Sequence, residues 1–306
     1  MNSSKRVLLS ACLIVTVFSS FSQEVDLFKM QDSAIARQPS DSGEPVINTF
    51  YSSRLVNSHT VELTGVGSMD FRINHRFAPV SLGLYQMFGL DVATMRMGFD
   101  FGLWKNFAIG VGRTNAFKET DGYLKWRLVH QKNSGVPLSV VLLGSISYRT
   151  IDMDPSLKVT GSDRTYYSAQ LLLGSKLNRN TSVQLSPTYT RYNRIMGFTG
   201  GNNNMFSLGF LARQKVSRRI SLTAEYFWQL TSFDNTYDPL SVGVDINTGG
   251  HVFQLHFTNS LGMNEHSFIH ETRDSWADGD IRWGFNLSRI FSIGKKAARE
   301  KKQMEW

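Results

Sequence analysis

Ten basic side chains, Arg72, Arg76, Arg96, Lys125, Arg127, Arg149, Lys176, Arg213, Lys215 and Arg282, fall on one parity of alternating segments, together with the carboxylates Asp70, Asp100, Glu225 and Asp245. Ten cations against four anions leave an excess of six positive charges on that face. Lining a water-filled channel, such a set would concentrate and select anions. Paired across a narrow lumen, the same side chains would close it.

Two further groups invite a chemical reading. His256 is followed by Thr258, Asn259 and Ser260, residue types that a nucleophilic hydrolase combines. Thr258, however, shares the parity of His256, and no Gly-x-Ser-x-Gly elbow occurs in the chain, so His256 reads as a lumenal hydrogen-bonding residue. Glu265, His266, His270 and Glu271 precede Asp274, Asp278 and Asp280. On a helix the His-x-x-x-His spacing would suit a metal, and the carboxylates would suit calcium. Neither set has a regular ligand pattern, and solvated loop charge is the better reading. No catalytic, cofactor or metal residue is assigned, and the chain reads as a non-enzyme without a cofactor.

The elements that position these residues are strands. Met95, Met97, Phe99, Phe101 and Leu103 alternate with Arg96, Gly98, Asp100 and Gly102, and the alternation resumes after Lys105-Asn106 with Phe107, Ile109 and Val111. A period of two with one apolar and one polar face is a half-buried hairpin. Similar segments recur from Val61 to Phe77, the first strand with a bend at Gly65 or Gly67, to Phe291, giving about twelve strands long enough to cross a bilayer when tilted.

The connections after even-numbered strands are short, whereas those at 78–91, 150–164, 193–204 and 260–280 are long. That one-sidedness is the habit of an outer-membrane barrel with its turns toward the periplasm. Alternation alone does not say which face is inside, and a soluble barrel would put the apolar face inward. The polar face, rich in Gly and Ser with interspersed charge, and Tyr148, Tyr189, Tyr226, Trp228, Trp283 and Phe291 near strand ends favour the membrane arrangement.

Lys5-Arg6, an apolar run from Val7 to Phe18 and small residues up to Ser22 read as a cleaved signal peptide over 1–22. Removing it also removes Cys12, the one cysteine, and with it disulfide and thiolate chemistry. Residues 23–57 carry no sustained period and read as a flexible arm that either plugs the lumen or trails from it. The barrel then spans 58–291 and a basic tail spans 292–306. The formal charge of +8 is dispersed through strands, which argues against nucleic acid as a partner.

The segments Asp70-Phe71-Arg72-Ile73-Asn74-His75-Arg76-Phe77, Gly89-Leu90-Asp91, Asp121-Gly122-Tyr123-Leu124-Lys125, Ala224-Glu225-Tyr226, the stretch from Thr248 to Asn259, and Gly284-Phe285-Asn286-Leu287-Ser288-Arg289 resemble an uncharacterised Bacteroidetes-type family of outer-membrane β-barrel proteins. The likeness covers roughly residues 47–291. It implies a barrel and the cell outer membrane, and carries over no activity and no site residues.

The expected fold is therefore all-β: an antiparallel transmembrane barrel of about twelve strands. The first functional expectation is a small channel for anionic or polar solutes, its selectivity set by Arg72, Arg76, Arg96, Lys125, Arg127, Arg149, Asp100, Glu225, Asp245 and His256. The second is a closed barrel that serves as a membrane platform for a binding partner. An outer-membrane hydrolase ranks last. The partners implied are outer-membrane lipids, the outer-membrane assembly machinery and a periplasmic or extracellular protein.

Overall fold

Strict alternation of side chains puts one apolar and one polar face on nearly every strand, and a sheet with two such faces hides both only by closing on itself within a membrane. The computed structural model describes residues 43–293 apart from Met153. Twelve strands form one closed antiparallel barrel: β1 (Ser68–Pro79), β2 (Ala93–Trp104), β3 (Phe107–Thr114), β4 (Glu119–Val129), β5 (Ser139–Arg149), β6 (Thr165–Lys176), β7 (Thr181–Tyr192), β8 (Asn204–Lys215), β9 (Ile220–Gln229), β10 (Leu240–Asn247), β11 (His251–Thr258) and β12 (Arg282–Ser292). Each strand pairs with its chain neighbours, and β1 closes on β12 from Ser68 opposite Ser292 to Arg76 opposite Gly284. The signal segment 1–22, the arm up to residue 42 and the tail from residue 294 lie outside the described residues.

The connections at 105–106, 177–180, 216–219 and 248–250 are short and share one rim with the longer 130–138 and both ends of the barrel. The opposite rim carries 80–92, 150–164, 193–203, 230–239 and 259–281, together with the brief 115–118. The last of these long connections holds a single helical turn and a half, α1 (Glu265–His270).

The first strand starts later than its parity predicts. Val61 and Leu63 share the odd register of Met69, yet the strand begins at Ser68 and Val61 is buried inside the barrel. The break is made at two glycines, Gly65 and Gly67, the second with φ 70°. There the incoming chain crosses β2: Gly67 N–H donates to the Gly102 carbonyl at 2.9 Å, and a Cβ at Gly102 would collide with the carbonyls of Thr64 and Gly65. The crossing is why an apparently continuous register is two separate segments.

A second difference concerns the inner face. Tyr123, Val141, Leu143, Leu172, Leu211 and Phe227 point inward and form one buried cluster with Phe50, Leu55, Val61, Phe268 and Ile269. The wall from β4 to β9 is thus partly apolar rather than uniformly polar, and it packs against other segments of the chain instead of water. The local sequences explain it: Leu171-Leu172-Leu173, Val140-Val141-Leu142-Leu143 and Tyr226-Phe227-Trp228 are apolar on both parities, the pattern of strands covered on both faces.

Candidate functional site

Inside the barrel, residues 46–64 thread along the lumen and touch β1, β4, β7, β9, β11 and β12 at once. Residues 53–60 fold back as a tight hairpin: Leu55 N–H donates to the Ser58 carbonyl at 2.9 Å and Thr60 N–H to the Ser53 carbonyl at 3.0 Å. Its tip, Val56-Asn57-Ser58, is fully enclosed.

The tip closes on one carboxylate. The backbone amides of Val56 (3.2 Å), Asn57 (2.9 Å) and Ser58 (3.1 Å) donate to Glu225, as does the Asn57 side-chain amide at 2.8 Å. Three successive amides around one anion form the cradle by which backbone holds negative charge. From the other side Arg76 donates to Asn57 Oδ1 and Asn286 Nδ2 to the Val56 carbonyl, each at 2.8 Å.

Lys125 is the second anchor. Its Nζ donates to the carbonyls of Ser53 (2.8 Å), Thr60 (3.1 Å) and Glu62 (3.1 Å), gathering both legs of the hairpin. Gln184 receives Val61 N–H and donates to the His59 carbonyl, both at 2.8 Å, while Arg127 donates to the Val61 carbonyl at 3.0 Å. Nearer the short-turn rim, Arg213 donates to the Asn48 carbonyl and Lys176 to the Ile47 carbonyl, each at 3.1 Å.

The remaining charges pair with one another. Arg96 binds Asp121, Arg72 binds Asp70 at 2.9 Å, and Arg149 binds Glu119 at 2.7 Å and Glu271 at 2.8 Å. Asp100 accepts from Ser53 Oγ at 2.9 Å, and Asp245 accepts from Gln254 Nε2 at 3.2 Å. All ten residues singled out from the sequence are buried or nearly so on the inner face. What parity could not give is their partners: Arg76, Lys125, Arg127, Asp100 and Glu225 meet the arm, while Arg96, Arg149 and Asp245 meet other side chains of the wall and its loops. His256 is buried against Gly284, while Thr258 accepts from Ser241 Oγ and Asn259 Nδ2 donates to the carbonyls of Asp238 and Asp274. The grouping that its sequence neighbours suggested does not converge.

From the long-loop rim, α1 also enters the barrel, and every one of its residues is buried. The reading of Glu265, His266, His270 and Glu271 as solvated loop charge is therefore corrected. Phe268 and Ile269 lie among these charges; as Phe268 packs edge-on against Phe227 at 5.1 Å, the helix carries its polar residues inward, where partners wait. Glu265 Oε1 lies 3.3 Å from Arg54 Nη1 and 3.2 Å from His59 Nε2, so helix and arm meet directly. His266 stacks on Tyr166 at 4.1 Å, and Asn264 donates to Glu119 at 2.8 Å. Burial, with the nearby His266, pushes His270 down to about 3; burial, then Arg54 and Lys125, holds His59 well below its ordinary value against the opposing charge of Asp100. Both are neutral imidazoles at pH 7. Among the described residues no three His, Cys, Asp or Glu side chains gather as a metal site.

Residues 50–291 match the model of the membrane bound beta barrel domain, DUF5777. The chain belongs to that family. Membership of this membrane-bound barrel family decides which face meets lipid: the outward one, where Phe99, Trp126, Trp228 and Phe257 are exposed. No curated protein matches the chain. Among solved structures the chain is similar to the KdgM porin, with 11% identity over 73% of this chain and 99% of that one and a TM-score of 0.45. It is similar too to the NanC porin, at 8% identity, 74% and 99% coverage and a TM-score of 0.45. An outer membrane channel from Pseudomonas putida F1 aligns at 11% identity, 76% and 98% coverage and a TM-score of 0.47. As a family member this barrel crosses the membrane by its strands; among the described residues no helix is long and apolar enough to do so.

Proposed function

We propose that this family member is an outer-membrane channel held shut by its own N-terminal segment, opening to small anionic or polar solutes when that segment is withdrawn. The observation that carries the reading is the identity of the partners. Arg76, Lys125, Arg127, Arg213 and Lys176 all donate to oxygen atoms of the arm rather than to carboxylates of the wall. Buried cations are costly unless paired. A barrel that needed only to be filled would pair them within the wall, as Arg96 and Asp121 are paired. Withdrawal of the arm would expose these five cations and the carboxylates Glu225, Asp100 and Glu265 to water, giving an anion-favouring passage. The short-turn rim, where the arm enters, would face the periplasm.

Single-channel conductance in a planar bilayer tests this reading. The wild-type chain should be silent most of the time, and Glu225→Ala should produce anion-selective openings. A disulfide lock made by Asn57→Cys with Ser241→Cys, whose side chains are 3.2 Å apart, should abolish them and reduction should restore them. The second reading, a permanently closed platform for a periplasmic or extracellular partner, is favoured by the apolar cluster of Phe50, Leu55, Phe268 and Ile269 in the lumen. A barrel that stays silent in the Glu225→Ala variant supports that reading instead.

A further inference from the structure

The connection between β1 and β2 differs in kind from the other long loops. From Phe77 to Leu90 no residue is charged, whereas the 150–164 loop carries Asp152, Asp154, Lys158, Asp163 and Arg164. Yet the uncharged loop is not buried: Leu82, Leu84, Met87, Phe88 and Leu90 are exposed, and Tyr85 is 93% exposed. A contiguous exposed apolar patch of this kind on a folded chain marks a surface that meets something other than water.

Its backbone is built to keep the patch outward. Met87 and Phe88 take φ of 45° and 53°, a left-handed conformation that bulky residues avoid, and Gly89 at φ 88° lies so close to β1 that a Cβ would strike the carbonyls of Ala78 and Pro79. The loop is thereby pinned against the strand end, with its large side chains turned away from the protein.

Directly below lies the lipid-facing wall. On β1 and β12, Phe77 stacks on Trp283 at 5.1 Å and His75 on Phe285 at 4.8 Å, an aromatic row at the long-loop rim of the kind that marks a membrane interface. The loop's apolar residues continue that row past the end of the strands without an intervening charge.

We infer that residues 82–90 are a membrane anchor, inserted into the interfacial zone of the leaflet on the long-loop side, with lipid acyl chains as the occupant of the patch. The loop extends the apolar band of the barrel on the β1 side alone and fixes the depth of that side in the bilayer. The inference does not depend on whether the lumen opens.

The test uses the full chain in a Cys12→Ser background, refolded into phosphatidylcholine vesicles, with Tyr85→Cys labelled by an environment-sensitive nitrobenzoxadiazole. Leu157→Cys, on the charged 150–164 loop, is the reference. The Tyr85 probe should emit at shorter wavelength, be quenched severalfold more by lipids carrying a nitroxide near the headgroup, and be severalfold less accessible to aqueous iodide. Equal iodide quenching at the two positions would overturn the anchor. So would protection at Tyr85 that disappears on dilution with lipid, which would assign the patch to contact between copies of the chain.

Discussion

Glu225 grips Asn57 twice, through the backbone amide at 2.9 Å and the side-chain amide at 2.8 Å, although the two residues lie 168 positions apart in the chain. Replacing the carboxylate with a methyl leaves three amides of the hairpin tip enclosed without an acceptor. A hydrogen bond to a charged group contributes about 2 kcal/mol, so Glu225→Ala should free the tip by at least that amount. Hydrogen exchange read by mass spectrometry should show the amides of 56–58 exchanging at least tenfold faster, since about 1.4 kcal/mol is one factor of ten. Glu225→Gln, which keeps one acceptor oxygen, should fall between.

Lys125 and Arg96 are both buried cations, yet their removal should have different consequences. Lys125→Met takes the donor from three arm carbonyls and leaves the wall charges as they were, so faster exchange should be confined to residues 53–62. Arg96→Met strands Asp121, its carboxylate partner, and should cost about 3–5 kcal/mol of barrel stability. Urea unfolding of the refolded proteins, followed by the mobility difference of unheated samples, separates the two.

Adjacent residues on β9 provide the sharpest contrast between faces. Phe227 packs on Phe268 within the lumen, while Trp228 is exposed to lipid. Phe227→Ala should cost about 3–5 kcal/mol by opening a cavity, and Trp228→Ala much less, because lipid chains fill the space left behind. Parallel unfolding curves in the same vesicles would show it.

Acid should release the inserted loop. His270 is neutral in place, with its proton affinity pushed down to about 3, whereas an expelled histidine titrates near its ordinary value. The released form therefore binds more protons between these limits, and the stability of the inserted loop falls as pH drops below about 6.5. At pH 5 the loss is about 2 kcal/mol from His270 alone. Proteolysis within 259–281 should accelerate between pH 7 and 5 in the wild type and lose most of that dependence in His270→Gln.

The barrel itself was legible because alternation is a strong local signal: Phe99, Phe101 and Ile109 face out and Arg96 and Asp100 face in, as their parity requires. The strand count and the asymmetry of the connections followed from turn residues such as Lys105-Asn106. The contents of the lumen were not legible. Arm residues 46–57 have no period because their backbone is satisfied by side chains from strands as much as 230 positions away in the chain, as with Asn286 and Val56, while Val61 and Leu63 keep the parity of β1 and read as part of it. The α1 segment misled for the opposite reason. Its charges read as solvent-exposed, while the groups that receive them, Arg149 and Glu119 on distant strands and Arg54 on the arm, come together only on closure. Inward Leu172 and Phe227 could have been found, since uninterrupted apolar runs on those strands contradict a watery interior.

The seam between β1 and β12 joins the first strand to the last, so the wall becomes continuous only after the whole domain has been made. The hairpin tip held by Glu225 precedes every strand in the chain. Its seat, however, is formed by residues of β1, β4, β9 and β12, so no single hairpin of the wall can hold it. The pairing of Phe71 with Arg289 therefore does more than close the wall: it brings together Arg76 and Asn286, one from each strand of the seam, which hold the tip on the side away from Glu225.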